Sequence, residues 1–133
     1  MTARAADVHT ELVHRYIAVW NLPDEHRRAA VDDLFTEDVF YADPEVSLRG
    51  RTALDSYIGA TRRRFEGLVF SPYGRPDGHH QQVRFGWQCA PADGDPALTG
   101  MDVALLAGGR VLALYGFFDA VPALAPGHPQ PAP

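Results

Sequence analysis

The chain has 133 residues, of which 46% are hydrophobic and 22% charged, as expected for one globular domain with a real core. The net charge of −5 disfavours general binding to nucleic acid or to an anionic membrane surface. The single cysteine, Cys89, excludes an internal disulfide and a cysteine-based metal cluster. No signal core is visible and no apolar run approaches the ~20 residues of a membrane span, so we expect a cytoplasmic protein.

Three helices are predicted from apolar residues at helical spacing. The first covers about residues 5–21, with one broad apolar face. Asp24 could cap the second, which runs to about residue 35 and carries Arg27 among the charged residues of its outer face. The third covers about residues 52–65 and ends in three successive arginines. These favour a solvated helix end over an anion site, since the helix dipole stabilises cations there.

Two short strands are predicted among and after these helices. Residues 39–42 form the first, which ends at Asp43-Pro44 because proline cannot donate to a ladder. Residues 68–70 form the second. The serine, prolines and glycines of residues 71–78 then predict a turn region.

Longer strands follow. Residues 79–89 alternate between apolar and polar side chains, and residues 97–107 and 110–118 predict a hairpin. Helices segregated from strands indicate an α+β fold. We expect a cone-shaped, curved antiparallel sheet wrapped around the N-terminal helices, enclosing a pocket within a domain of residues 1–121. The proline-rich tail, residues 122–133, is predicted to be disordered.

A lone carboxylate, Asp102, interrupts the apolar run of residues 99–106. Burying a charge is costly, so such an acid either faces solvent or is held neutral in a pocket with a raised pKa. We favour the pocket because Tyr16 on helix one and Asp43 offer groups that could meet it there.

Several segments together resemble the nuclear transport factor 2-like superfamily, in its SnoaL-like and ketosteroid-isomerase-like branch. The resemblance covers about residues 8–119. Its segments, in chain order, are Val13-His14-Arg15-Tyr16-Ile17 with Trp20-Asn21, Tyr41-Ala42-Asp43-Pro44, Gly50-Arg51, Gly100-Met101-Asp102-Val103, Gly109-Arg110-Val111 and Gly116-Phe117-Phe118-Asp119. Singly these are weak signals, and their order and spacing carry the resemblance.

The resemblance implies roles for three residues. Asp43, in an Asp-Pro pair, matches the general base of ketosteroid isomerase. Tyr16 and Asp102 match its two hydrogen-bond donors, the latter an aspartic acid kept neutral by an apolar site. Phe118 falls at an aromatic position of the pocket wall. The chain departs from the pattern at Phe35, where the family has a supporting tyrosine.

Other aromatic and histidine side chains are candidates for substrate binding. Trp20, Tyr41, Trp87 and Phe118 are predicted as core or pocket wall. His80 is a candidate pocket acid or base. A metal site at His79-His80 is disfavoured because adjacent residues of a strand point to opposite faces.

The sequence leaves three functions open. The first is a cofactor-free enzyme in which Asp43 removes a proton beside the carbonyl of an apolar substrate, leading to isomerisation, cyclisation or dehydration. The second is an epoxide-opening enzyme, which would need an arginine beside the acid, with Arg84 as the strand candidate. The third is a non-catalytic binding or dimerisation domain. Neither flavin nor nicotinamide is implied. A homodimer through the outer sheet face is expected.

Overall fold

The computed structural model describes residues 2–119, and the predicted tail of residues 122–133 lies outside the described residues. Three helices and six strands follow one another along the chain. They are α1 (Thr2–Val19), α2 (Asp24–Leu34), β1 (Phe35–Asp43), β2 (Val46–Arg49), α3 (Arg51–Arg64), β3 (Leu68–His79), β4 (Gln82–Pro91), β5 (Leu98–Ala107) and β6 (Arg110–Phe118). Within the described part of the chain, no helix has the length and apolar character needed to cross a membrane.

The six strands form one sheet in the order β2-β1-β6-β5-β4-β3. Neighbouring strands are antiparallel except β1 and β6, which run parallel and make the sheet mixed. The parallel pair joins β1, which lies between α2 and α3 in the sequence, to β6, the last strand of the chain. The sheet is curved and unclosed, with β2 and β3 at its edges, and the predicted α+β cone fold is confirmed.

The core lies between α1 and the inner sheet face. From α1 it takes Val13, Tyr16 and Ile17, all at most 4% exposed, at the spacing of one helical face. The predicted alternation in β4 is confirmed, since Val83, Phe85, Trp87 and Cys89 are all buried. Each helix therefore presents its apolar stripe to a sheet whose inner positions alternate at period two.

The predicted solvated face of α2 is wrong at Arg27, which is 4% exposed. Its guanidinium lies between α2 and α3, where it donates to Asp55 and Asp24, both at 2.9 Å. Gly59 of α3 leaves room for it, since a Cβ there would lie 2.6 Å from Nη2. Asp24 begins α2 without capping it; Pro23 holds the N-cap position. The predicted cap is wrong because Asp24 is the first helical residue, and its carboxylate accepts from Arg27 instead.

The predicted end of the strand at residue 70 is also wrong, because β3 continues through its prolines and glycines to His79. β3 is an edge strand, so Pro72 and Pro76 can face away from the ladder without removing a needed donor. The pairing with β4 shifts register between Tyr73 and Asp77. Gly74 lies in that interval with φ +80°, which suits a glycine.

Two other boundaries differ from the prediction. β1 begins at Phe35, earlier than expected, and pairs with β2, which was not predicted. β4 begins at Gln82 because His79 ends β3 and His80 turns the chain with φ +54°. Apolar alternation alone does not show where the turn between β3 and β4 lies.

Candidate active site

An apolar cavity opens between α1, α3 and the inner face of the sheet. The space inside it is about 50 Å³, room for a few water molecules. It is lined by Tyr16, Ile17, Trp20, Tyr41, Asp43, Glu45, Tyr57, Thr61, Arg64, Phe65, Phe70, Trp87, Leu98, Asp102 and Phe118. A mainly aromatic wall with three carboxylates is the kind of surface on which acid–base chemistry is built.

Asp102 projects from the middle of β5 into this cavity and is 5% exposed. The indole Nε1 of Trp87 donates a hydrogen bond of 2.9 Å to its Oδ1. Burial raises the pKa of Asp102 to about 7, and the charge of Asp43 adds to the increase. Hydrogen bonding from Trp87 and Tyr16 acts in the opposite direction on that pKa. The carboxyl therefore exchanges its proton near neutral pH.

Two glycines make room for this carboxyl. A Cβ at Gly100 would lie 2.3 Å from the indole ring of Trp87, so only glycine lets that ring lie over β5. A Cβ at Gly116 would lie 2.9 Å from Oδ1 of Asp102 and 3.4 Å from Cβ of Asp43. Gly116 thus lies between the two acids on β6, and a side chain there would press on both.

Asp43 ends β1 at the cavity wall and is held by four hydrogen bonds. The hydroxyls of Tyr41 and Tyr57 both donate to its Oδ2 at 2.7 Å. The backbone N–H groups of Glu45 and Val46 donate to its Oδ1 at 2.8 and 3.2 Å. An ionised carboxylate offers about four acceptor sites, so the acceptor capacity of Asp43 is filled.

Tyr16 is 3% exposed and lies beside Asp102. Burial and the nearby Asp102 raise the pKa of its hydroxyl well above the usual value, so it remains a proton donor. One helical turn later, Trp20 meets the Tyr16 ring edge-on, with centroids 6.3 Å apart. The indole Nε1 of Trp20 is buried and forms no hydrogen bond of regular geometry, although it lies near the Tyr16 hydroxyl. Phe35 contacts the same tyrosine ring but offers no polar group.

The structure brings together most of the predicted site residues. Those that line the cavity are Tyr16, Trp20, Tyr41, Asp43, Trp87, Asp102 and Phe118. His80 does not line the cavity, although it was predicted as a pocket acid or base. It is exposed at the β3–β4 turn, and its backbone oxygen pairs with the ring of His9 at 3.1 Å. Within residues 2–119, no group of three or more metal-ligating side chains gathers in a way that could hold a metal ion.

Arg84 also lies away from the cavity. Its side chain is 64% exposed and pairs with Asp77 at 3.0 Å on the outer face of the sheet. The neighbours Val83 and Phe85 point inward, so alternation already places Arg84 outside. Arg84 therefore cannot serve as the arginine that the epoxide-opening hypothesis requires beside the acid in the cavity.

Several cavity residues were not predicted, and Tyr57 and Arg64 of α3 are the most informative. Tyr57 faces the cavity from α3, and the sequence did not indicate its hydrogen bond to Asp43. Arg64 donates to Glu45 at 2.8 Å and lies over the Phe65 ring at 5.0 Å. It was counted among the solvated arginines of the helix end. Its place at the cavity follows from the way α3 packs against β1.

The comparisons with known proteins agree with this geometry. The sequence matches the SnoaL-like domain family over residues 13–114. A candidate isomerase of the SnoaL-like family from Agrobacterium tumefaciens is 34% identical, with a TM-score of 0.82 over 86% of this chain and 99% of that one. The chain therefore belongs to the SnoaL-like family.

More distant structures share the fold. A candidate SnoaL-like polyketide cyclase from a Jannaschia species is 14% identical, with a TM-score of 0.70 over 90% of this chain and 94% of that one. A candidate ketosteroid isomerase from Kribbella flavida is 16% identical, with a TM-score of 0.66 over 95% and 92% of the two chains. No curated protein matches the sequence.

Proposed function

We propose that the protein is an acid–base enzyme that removes a proton beside the carbonyl group of a small apolar compound. The observation that carries the proposal is Asp102, a carboxyl buried in an aromatic cavity with a pKa of about 7. A group that titrates near the working pH is an effective general acid and base. Isomerisation, aldol-type cyclisation and dehydration share this first step, and relatives carry the names isomerase and polyketide cyclase.

The two carboxylates can divide the work in two ways. In the division that the family resemblance implies, Asp43 takes the proton while Tyr16 and neutral Asp102 donate to the carbonyl oxygen. In this geometry Asp43 can take a proton only if one of its four donors lets go. Of the residues that the structure describes, only Trp87 and Tyr16 donate to Asp102, which retains acceptor capacity, and the Tyr16 hydroxyl can turn from Asp102 to the substrate oxygen. We therefore assign proton transfer to Asp102 and hydrogen bonding of the developing oxyanion to Tyr16.

The cavity restricts the substrate. A space of about 50 Å³ is well below the ~300 Å³ of a pocket for a drug-sized ligand, so a four-ring skeleton requires the walls to open. We expect a compound with a single small ring or a short branched chain, because such a compound requires the least movement of the walls. The mainly aromatic lining is also compatible with a second candidate function, a binding domain that holds such a compound without converting it.

Hydrogen–deuterium exchange separates these functions without knowledge of the natural substrate. Cyclohexanone in D2O loses its α-protons only through the enol or enolate, and proton NMR follows the loss directly. We expect the protein to accelerate exchange, and Asp102→Ala to reduce the rate by ~10²-fold or more. Asp93→Ala, a change in an exposed loop, is the matched control. A wild-type rate equal to that of buffer would reject the enzyme and leave the binding domain.

A further inference from the structure

The donors around the cavity differ in whether they are engaged. Trp87 donates to Asp102, and Tyr41 and Tyr57 donate to Asp43. Tyr16 interacts with Asp102. Trp20 is the exception: it lines the cavity, is 7% exposed, and its indole N–H forms no hydrogen bond of regular geometry. Among the described residues it is the one buried side-chain N or O atom without a hydrogen-bond partner.

An unpaired buried N–H has a cost that folding does not explain. Leaving such a donor unsatisfied typically destabilises a protein by about 1–3 kcal/mol. Unpaired groups of this kind in native structures call for a specific reason, of which a ligand acceptor is one. The rest of the Trp20 ring is well packed, with Tyr16, Tyr41, Tyr57 and Phe70 around it. The ring is thus held firmly while its polar atom is not used.

The position of the unused donor identifies what it could bind. Trp20 follows Tyr16 by four residues, so the two side chains lie on one face of α1 and its C-terminal extension. The indole N–H is close enough to the Tyr16 hydroxyl to lower the pKa of that group. Two donors therefore lie side by side on the wall that also holds Asp102. One ligand oxygen has two lone pairs and can accept from both, once the Tyr16 hydroxyl turns its one proton from Asp102 to the ligand.

We propose that Trp20 is a ligand-binding donor, and that its indole N–H and the Tyr16 hydroxyl together hold one oxygen of the ligand. The proposal rests on the proposed function, because the oxygen in question is the carbonyl oxygen that gains charge when Asp102 removes the neighbouring proton. The ligand class is a small ring compound with an exocyclic carbonyl or enolate oxygen. Such an oxygen supplies an acceptor for the Trp20 N–H. The free energy lost by leaving that donor unpaired is then recovered on binding and strengthens the affinity.

Pentafluorophenol tests this assignment because its ionised form imitates an enolate. At about pH 6.5 the probe is mainly ionised while Asp102 is mainly neutral, so Asp102 does not repel the bound phenolate. Hexafluorobenzene has nearly the same shape without the oxygen and is the matched ligand control. Fluorine NMR reports the binding of both. Two protein variants remove the donor, Trp20→Phe and replacement of Trp20 by 3-benzothienylalanine, in which sulfur takes the place of N–H in a ring of nearly the same shape.

We expect both variants to bind pentafluorophenolate about ten- to a hundred-fold more weakly, as for loss of a hydrogen bond to a charged group. Hexafluorobenzene should bind the benzothienylalanine protein within about twofold of wild type. Equal loss of both ligands would show that Trp20 only shapes the wall and would overturn the proposal. Unchanged phenolate affinity, or no phenolate binding to wild type, would overturn it as well.

A second measurement observes the donor itself. With nitrogen-15 in the indole rings, Trp20 and Trp87 give the two indole N–H signals of the chain. Pentafluorophenolate should shift the Trp20 proton downfield, and a signal that does not move contradicts the proposal. Neither readout depends on turnover. A protein that exchanges cyclohexanone protons but shows no Trp20 effect refutes this inference alone, whereas Trp20-dependent binding without exchange refutes only the proposed enzyme.

Discussion

Trp87 on β4 donates its indole N–H to Asp102 on β5 at 2.9 Å, reaching diagonally across the pair of strands. In the register, Trp87 faces Gly100 and Asp102 faces Phe85, so the indole crosses the glycine to reach the acid. The hydrogen bond favours the ionised carboxylate, whereas burial favours the neutral acid. The pKa of about 7 is the balance of these opposing effects.

Removing this donor should therefore raise the pKa of Asp102. We expect Trp87→Phe to move the pKa above the value of about 7 because the stabilisation of the anion is lost while burial is retained. Carbon-13 NMR of the aspartate carboxyl groups measures the titration in both proteins, with Asp102→Asn identifying the signal. A titration midpoint in Trp87→Phe equal to or below that of wild type would contradict this account of the site.

The same carboxyl should make stability depend on pH in a specific direction. An acid whose pKa is raised in the folded state binds more protons folded than unfolded, so it weakens the fold as pH increases. A pKa raised from 3.8 to about 7 corresponds to about 4 kcal/mol of folding stability. The protein loses this stability progressively between about pH 4 and 7, and the loss is complete at higher pH.

The variant Asp102→Asn removes this cost. Its free energy of unfolding relative to wild type should therefore grow between about pH 4 and 7 and then stay constant. Urea denaturation across this range measures the difference. The exposed loop residue Asp93, changed to Asn, is the control and should show a flat difference. A flat difference for Asp102→Asn would mean that the acid is not held neutral in the folded protein.

The tyrosine pair on Asp43 should act on stability more than on proton transfer. Tyr41→Phe and Tyr57→Phe each remove a hydrogen bond of 2.7 Å to a carboxylate. Such bonds typically contribute about 1.5–3 kcal/mol, and the partly buried Tyr57 should fall at or below the lower limit. Thermal denaturation measures the cost. If either variant abolished cyclohexanone exchange while keeping its stability, the tyrosines would belong to the proton-transfer machinery instead.

A homodimer through the outer sheet face remains a prediction, and the structure supplies its candidate surface. Tyr73, Gly86, Met101 and Phe117 face one another in register across four strands. The three large side chains of this row are 57%, 37% and 58% exposed. An exposed apolar row of this kind is typical of an interface.

The test is the oligomeric state of Phe117→Glu measured by light scattering. We expect a dimer for wild type and a monomer for the variant, since a buried unpaired carboxylate opposes association. Val8→Glu alters an exposed apolar residue of α1 and should leave the dimer intact. Wild-type protein that is monomeric at tens of micromolar would rule out this interface.

The sequence predicted the helices, the hairpin and the inward alternation of β4 because these depend on local apolar periodicity. The resemblance to a known family also predicted that Tyr16, Asp43 and Asp102 share one pocket, and all three line the cavity. The sequence could not predict that β3 passes through its prolines, since an edge position is a property of the whole sheet. Nor could the sequence predict that Arg27 is buried, because its partner Asp55 lies on another helix.

The site shows the same division between local and long-range information. Hydrogen bonds that join distant elements, such as that from Tyr57 to Asp43, leave no pattern in one sequence. They nevertheless decide which of the two carboxylates is free to act. His80 was misplaced for a simpler reason, because the alternating pattern was extended through a turn that begins before β4.

The most direct test of the central claim is the pH dependence of cyclohexanone exchange in wild type, Asp102→Asn and Asp43→Asn. If Asp102 transfers the proton, the wild-type rate rises with the ionised fraction of a group of pKa about 7, and Asp102→Asn falls by ~10²-fold or more at every pH. Asp43→Asn, checked for folding by circular dichroism, then keeps the larger share of the rate, with a lower midpoint because the charge of Asp43 no longer raises the pKa of Asp102. Retained exchange in Asp102→Asn together with its loss in folded Asp43→Asn would contradict the account and make Asp43 the base.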